Sequence, residues 1–140
     1  MIYNLYVYNR RGKCLYYREW YRPLNTLSDD PDEERKLMFG MVFALKELTS
    51  QMSSVPGEFR TMKTNSFTLH HFQSASGIMF VVNSDQDTGD LSESLQHIYS
   101  NIFVGCVTRN PLYKYVPDEP IQSVLFERRL EEYVKSVLNR

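Results

Sequence analysis

The sequence predicts an α+β domain in which a five-stranded antiparallel sheet lies between one helix and two, in the order ββ-α-βββ-αα. Three observations carry that expectation. Two short turns, "NRRG" and "ASG", each join stretches of alternating strand character. Two of the strands are apolar on both faces, so both faces need cover. Three further stretches show apolar residues at helical spacing, which supplies that cover and makes an α/β/α three-layer sandwich.

The first strand is "IYNLYVYN". Strict alternation directs Tyr3, Leu5 and Val7 to one face and Ile2, Tyr6 and Tyr8 to the other. Gly12 is free to take positive φ in the turn that follows. "KCLYYREWY" returns as the second strand. In "DDPDEERKLMFGMVFALKELTSQM", Asp30 is placed to cap a helix, with Pro31 in its first turn and Glu33 as capping-box partner. The acidic start suits the positive end of the helix dipole. Leu37, Met41, Ala44, Leu45 and Leu48 form one stripe, read as the core-facing one, and Ser53, Ser54, Pro56 and Gly57 end the helix.

"EFRTMKT" reads as a polar edge strand, with Arg60 and Lys63 guarding it against unwanted pairing. "FTLHHFQS" and "IMFVVN" form the second hairpin, with Ile78, Phe80 and Val82 on one face and Met79 and Val81 on the other. The first and fifth strands belong at the centre of the sheet, the second and third at its edges. Asp90 and Glu93 suggest a second capping box, before the stripe Leu91, Leu95, Ile98, Ile102 and Cys106; Asn110–Pro111 stops that helix. The last helix carries Phe126, Leu130, Tyr133, Val134 and Val137 inward and an exposed Glu131–Lys135 pair at i,i+4.

At 140 residues, 42% hydrophobic and 24% charged, the chain suits one domain spanning residues 1–140 with a core of its own. A net charge of −1 with scattered basic residues argues against nucleic acid as a partner. The two cysteines, Cys14 and Cys106, lack the spacing of a zinc site or a disulfide framework. The opening "MIYNLYVYNRRGK" lacks the basic-then-apolar pattern expected of a signal peptide, and the longest apolar run, "LMFGMVFAL", is about half the ~20 residues that cross a bilayer. The expectation is a soluble intracellular protein that reaches membranes only through partners.

Adjacent histidines, His70 and His71, raise the question of an active site. Strand alternation sends them to opposite faces, His70 with Phe72 and His71 with Leu69 and Gln73. His97 sits on a helix, and no nucleophile elbow, phosphate loop or dinucleotide fingerprint is present. A small hydrolase built from His70, His97 and Cys106 would need them to converge in one pocket. No catalytic, cofactor or metal site is expected. Ten tyrosines and eight phenylalanines instead suggest a thick aromatic core or apolar surface kept for partners.

Five segments, "NLYVYNRRGKCLYYREW", "EERKLMFGMVFALKELTSQMS", "FTLHHFQSASGIMFVVNSD", "HIYSNIFVGCVTRNPL" and "QSVLFERRLEEYV", resemble the small longin-domain subunits of TRAPP, the transport protein particle, in the sedlin/synbindin-like group and most closely its subunit 1 branch. The resemblance runs in register over nearly the whole chain. It departs at two loops: "SSVPGEF" is shorter than usual and "LYKYVPDEPIQS" longer. It implies the longin (profilin-like) fold and an architectural role in a vesicle-tethering complex of ER-to-Golgi transport. The implied partners are a synbindin-like longin subunit, a subunit of the other TRAPP fold and, through the assembly, a Rab-family GTPase whose nucleotide exchange the complex catalyses. The implied location is cytoplasmic, peripheral at the cis-Golgi and endoplasmic reticulum. The exposed side of the first helix and the first hairpin are the expected longin–longin contact. Met38 and Val42, off the expected core stripe, would be its apolar centre, with Phe39 nearby and Tyr6, Tyr8 and Tyr17 on the hairpin; the competing expectation is that they simply pack on the sheet. The small chain of a clathrin or coat adaptor shares the plan and is the rival within the binding class.

Overall fold

The structure, a computed structural model, describes residues 1–21, 30–52, 61–64, 67–116 and 118–138. The strands are β1 (Ile2–Tyr8), β2 (Cys14–Glu19), β3 (Thr61–Lys63), β4 (Thr68–Gln73) and β5 (Met79–Ser84). The helices are α1 (Pro31–Met52), α2 (Ser92–His97), running on through π-type turns over Ile98–Thr108, and α3 (Val124–Tyr133), which widens in the same way over Val134–Leu138. The strands form one antiparallel sheet in the order β2-β1-β5-β4-β3, with the first and fifth inside and the second and third at the edges. The expected end of α1 at Ser53–Gly57 and the edge-strand residue Arg60 lie outside the described residues.

Each face of the sheet has its own core. Leu5, Val7, Ile78, Phe80 and Val82 pack under α2, its continuation and α3, with Phe103, Phe126 and Leu130 filling the layer. Tyr6, Tyr8, Leu69, Met79 and Val81 pack under α1. The alternation read from β5 therefore holds residue by residue. In β1 it fails at one place. The pairing with β5 steps from Ile2↔Ser84 to Asn4↔Asn83, a β-bulge that puts two residues of β1 against one of its partner. Ile2 consequently shares a core with Leu5 and Val7, and Tyr3 is left half-buried against the Tyr21 ring at 5.4 Å. The next residue compensates by polar pairing: Asn83 Nδ2 donates to Asn4 Oδ1 at 2.9 Å across the strands. A second irregularity, where Val7 pairs Tyr16 and Tyr8 pairs Cys14, lets the neighbours Leu15 and Tyr16 enter the same core.

The caps are partly as read. Asp30 Oδ1 accepts from the Asp32 N–H at 3.1 Å, so it does begin α1. Asp90 stands one residue too early to cap α2: Leu91 occupies the N-cap position without a side-chain bond, while Asp90 Oδ1 accepts from the Ser92 N–H at 3.0 Å. Past α2 the wider pitch is visible in the Arg109 N–H, which donates to the Val104 carbonyl five residues back at 2.9 Å. Val137, expected inward, is exposed, because α3 widens before reaching it. The Glu131–Lys135 pair forms at 3.4 Å, and Glu131 also accepts from Trp20 Nε1 at 2.7 Å, tying the end of the first hairpin to α3.

Ser123 caps α3 and joins two helices at once. Its Oγ accepts from the Phe126 N–H at 3.2 Å and donates to the Cys106 carbonyl at 3.0 Å, while the residue itself is buried. Ser123→Ala removes both bonds and is expected to cost about 1–2 kcal/mol in urea denaturation. An unchanged midpoint would show that the cap is dispensable.

Candidate functional site

The outer surface of α1 depends on how the helix is rotated, and two tyrosines set that rotation. Tyr8 donates from its hydroxyl to the Arg35 carbonyl at 2.7 Å, and Tyr6 reaches Glu34 Oε1 at 3.4 Å. Burial pushes both phenols far above their ordinary range, with the Glu34 carboxylate adding to the effect on Tyr6, so both remain neutral donors. A helix that turns Glu34 and Arg35 toward the sheet must also turn in Met38 and Val42, four and eight positions after Glu34. Both side chains are buried against Tyr6, Tyr8, Leu69, Met79 and Val81.

That overturns the expected phase of the helix, which is out by about 100°, one residue's rotation. Met38, Val42, Tyr6 and Tyr8 are inside this chain, and their side chains are not open to a partner. The stripe read as core is the outer one. Leu37 and Leu48 are 43% and 52% exposed, Ala44 is exposed and Met41 half-buried. On the opposite flank of the buried row Phe43 is 55% exposed and packs along Phe39 with ring centroids 6.2 Å apart. Phe39 itself is half-buried, pinned by the Tyr8 ring at 5.4 Å and by the β1–β2 turn. Gly12, at φ +86°, makes that approach possible, since a Cβ there would stand 2.7 Å from the Phe39 ring. Tyr17 is half-buried too, with Arg35 stacked 5.1 Å over its ring. The sequence reading therefore missed Leu37, Leu48 and Phe43 as surface residues. The signal was present in the row Glu34, Met38, Val42, with tyrosines on the strand to receive it.

The histidines and cysteine do not assemble into a reactive centre. His70, 1% exposed, meets Ser84 Oγ through Nε2 at 2.8 Å; Ser84 in turn donates to the Asp85 carbonyl at 3.0 Å. A serine whose hydrogen is so committed, sealed in the core, is not a nucleophile awaiting a base. His97 accepts from Asn101 through Nδ1 at 2.8 Å and stacks on Tyr133 at 4.7 Å. Cys106 is buried in the core, where it packs as a small apolar residue. His70, His97 and Cys106 thus each have separate surroundings. Among the described residues no cluster of histidine, cysteine and carboxylate side chains has the makings of a metal site, and no helix is long and apolar enough to cross a membrane.

A five-stranded antiparallel sheet carrying one helix on one face and two on the other, in this order, defines a longin-like, profilin-like domain. The chain belongs to the Sybindin-like family, whose model matches residues 2–137. It is 37% identical over 138 residues to trafficking protein particle complex subunit 1 of Homo sapiens, covering 97% of this chain and 93% of that protein. It is 34% identical over 121 residues to trafficking protein particle complex subunit BET5 of Saccharomyces cerevisiae, covering 81% of this chain and 76% of that one. A more distant similarity, 31% over 100 residues, links it to trafficking protein particle complex subunit 4 of Bos taurus, across 70% of this chain and 44% of the relative. Of the two binding-class expectations, the family match falls on the TRAPP side.

Proposed function

We propose that the chain is a structural, non-catalytic subunit of a TRAPP-type vesicle-tethering complex in ER-to-Golgi transport. Its partners are a synbindin-like longin subunit and a subunit of the other TRAPP fold. Together the paired longin domains form part of a platform for nucleotide exchange on a Rab-family GTPase. The chain works in the cytoplasm, peripheral to cis-Golgi and endoplasmic reticulum membranes through the complex. Exchange of this kind needs no proton-transfer residue: a platform that binds the nucleotide-free GTPase more tightly than the loaded form weakens nucleotide binding by linkage.

The observation that carries this reading is the row Leu37, Met41, Ala44, Leu48, exposed at Leu37, Ala44 and Leu48 while Met38 and Val42 of the same helix are packed on the sheet. Apolar side chains at i, i+4, i+7 and i+11 make a continuous ridge, the form in which one helix meets another. Its exposure in a near full-length relative of TRAPP subunits supports assigning it to the longin–longin contact, with Tyr17 and Phe39 at the margin.

Leu37→Asp combined with Leu48→Asp tests this. Both positions are exposed, so the double variant is expected to keep its fold while recovery of the synbindin-like subunit in co-purification drops at least about tenfold. Full recovery with a folded double variant would remove the ridge from the contact. Purification of the unaltered chain without any TRAPP subunit would remove the functional reading itself. Exchange on a candidate GTPase by the reconstituted core should likewise fall when this chain is left out.

A further inference from the structure

At the end of the sheet where both hairpin turns lie, a cavity of about 570 Å³ opens between the β1–β2 turn, the β4–β5 turn, the π-type turns after α2 and the segment around Asp118. Its floor is aromatic. Tyr99 and Phe103 stack at 5.8 Å, and Tyr115 meets Phe103 edge-on at 6.1 Å. Its rim is cationic, formed by Arg10 and Arg11. The volume is that of sites that hold small ligands or single peptide side chains, and the polar and charged residues Asn9, Arg10, Arg11, Ser76, Thr108 and Asp118 line it together with the aromatic floor.

The two arginines are positioned but under-used. Arg10 crosses the β4–β5 turn and donates one bond, to the Ser76 carbonyl at 3.1 Å. It lies over Gly77, whose φ is +93°; a Cβ on that residue would come within 2.7 Å of Arg10 Nε. The glycine thus leaves room for the Arg10 side chain to cross the turn, with its remaining N–H groups unpartnered among the described residues. Arg11 meets Asp118 at 3.5 Å with both side chains largely in water, a pair worth little and readily exchanged. The backbone beneath them is fixed: Asn9 is buried, its Oδ1 accepts from the N–H groups of Arg11 and Lys13, and its Nδ2 donates to Asp118.

Guanidinium groups above an aromatic floor suit an anionic group carried next to an aromatic body. Asp118 on the same rim repels a dianionic phosphate more strongly than a carboxylate of single charge. We propose that this cavity receives an acidic–aromatic segment of a partner protein, the aromatic side chain resting on Tyr99 and Phe103 and the neighbouring Asp or Glu carboxylate held by Arg10 and Arg11. The aromatic floor of the site is on the helical side of the sheet, opposite α1 and its Leu37–Leu48 ridge.

The test is titration of the isotope-labelled full chain with the peptide acetyl-Gly-Phe-Glu-Gly-amide, followed by amide NMR shifts. Shifts should be confined to the two turns, the segment 99–108 and the neighbourhood of Asp118. The Gln-for-Glu peptide should bind about fivefold more weakly, as should Arg10→Gln and Arg11→Gln variants with the Glu peptide. Thr108→Trp, at an exposed position lining the cavity, should block binding with both arginines intact. Each variant must retain the dispersed spectrum of the folded chain. Absence of shifts at about 10 mM peptide, about tenfold above a ~1 mM dissociation constant for a weak side-chain site, would overturn the proposal. So would equal binding of the Gln peptide, or inorganic phosphate alone displacing the peptide at lower concentration.

Discussion

Val42→Asp is expected to destabilise the whole fold, not to peel the chain selectively from a partner. Val42 has no exposed surface and is enclosed by the apolar cluster that holds α1 on the sheet, with Met38, Leu69, Met79 and Val81 among its members. The substitution places a carboxylate in that layer, and an uncompensated buried charge costs about 3–5 kcal/mol. Domains of this kind have about 5–15 kcal/mol in total, so the loss is a large fraction of the stability, and all of it at the low end of that range. Met38→Asp should act the same way, since Met38 is 3% exposed. Leu37→Asp and Leu48→Asp, on the outer ridge, should each stay within about 0.5 kcal/mol of the unaltered chain. Urea denaturation of the four single variants separates the rows: two with lost or strongly shifted transitions, two nearly unchanged. The reverse pattern would mean that the helix is rotated as strict stripe-counting suggested. Protonation offers a second check. The carboxyl that Val42→Asp introduces must be neutral to stay buried, so its folded-state pKa is raised above its unfolded value. Between the two values the unfolded chain binds fewer protons, so the stability gap between the variant and the unaltered chain narrows as the pH falls toward 4.

Why the sequence misled on α1 and not on β5 is a matter of degeneracy. In β5 a period of two allows only two phases, and both faces are apolar, so whichever phase is chosen names the right neighbours. Ile78, Phe80 and Val82 were separable from Met79 and Val81 on alternation alone. In α1 apolar residues occur at 37, 38, 39, 41, 42, 43, 44, 45, 48 and 52, covering most of the circumference. A helix that is apolar nearly all round has no phase legible from hydrophobicity. The deciding contacts are polar and distant in sequence: the tyrosine hydroxyls of β1 on Glu34 and Arg35, more than twenty residues away. Ile2 and Tyr3 were illegible for a different reason, because a bulge is a property of pairing between strands and leaves no mark in either strand's own pattern. The arginine-rimmed cavity belongs to the same class. Arg10 and Arg11 were visible as a charged turn, but their aromatic floor comes from residues about ninety positions further on.

Lowering the pH from 6.5 toward 4 is expected to destabilise the chain through His70. His70 Nε2 and Ser84 Oγ share one hydrogen bond at 2.8 Å, and whichever of them donates, the other ring nitrogen, Nδ1, gains nothing from it. Nδ1 is buried and has no partner among the described residues. Protonation would therefore create a charged ring with a second N–H aimed at no acceptor. Burial holds the pKa down at about 4, against 6.5 for an ordinary histidine, and the distant Asp90 carboxylate offsets only part of that effect. Between those two values the unfolded chain takes up a proton that the folded chain refuses. Stability is fully present above about pH 6.5 and drains away as the pH falls, reaching a loss of about 3 kcal/mol near pH 4. His70→Gln keeps a donor toward Ser84 without a titrating ring. It should lower stability at neutral pH modestly and flatten its decline between about pH 6.5 and 4.5, measured by urea denaturation at several pH values. If the His70 variant retains the full slope, the acid sensitivity of the chain arises elsewhere and the sealed His70–Ser84 pair is not its source.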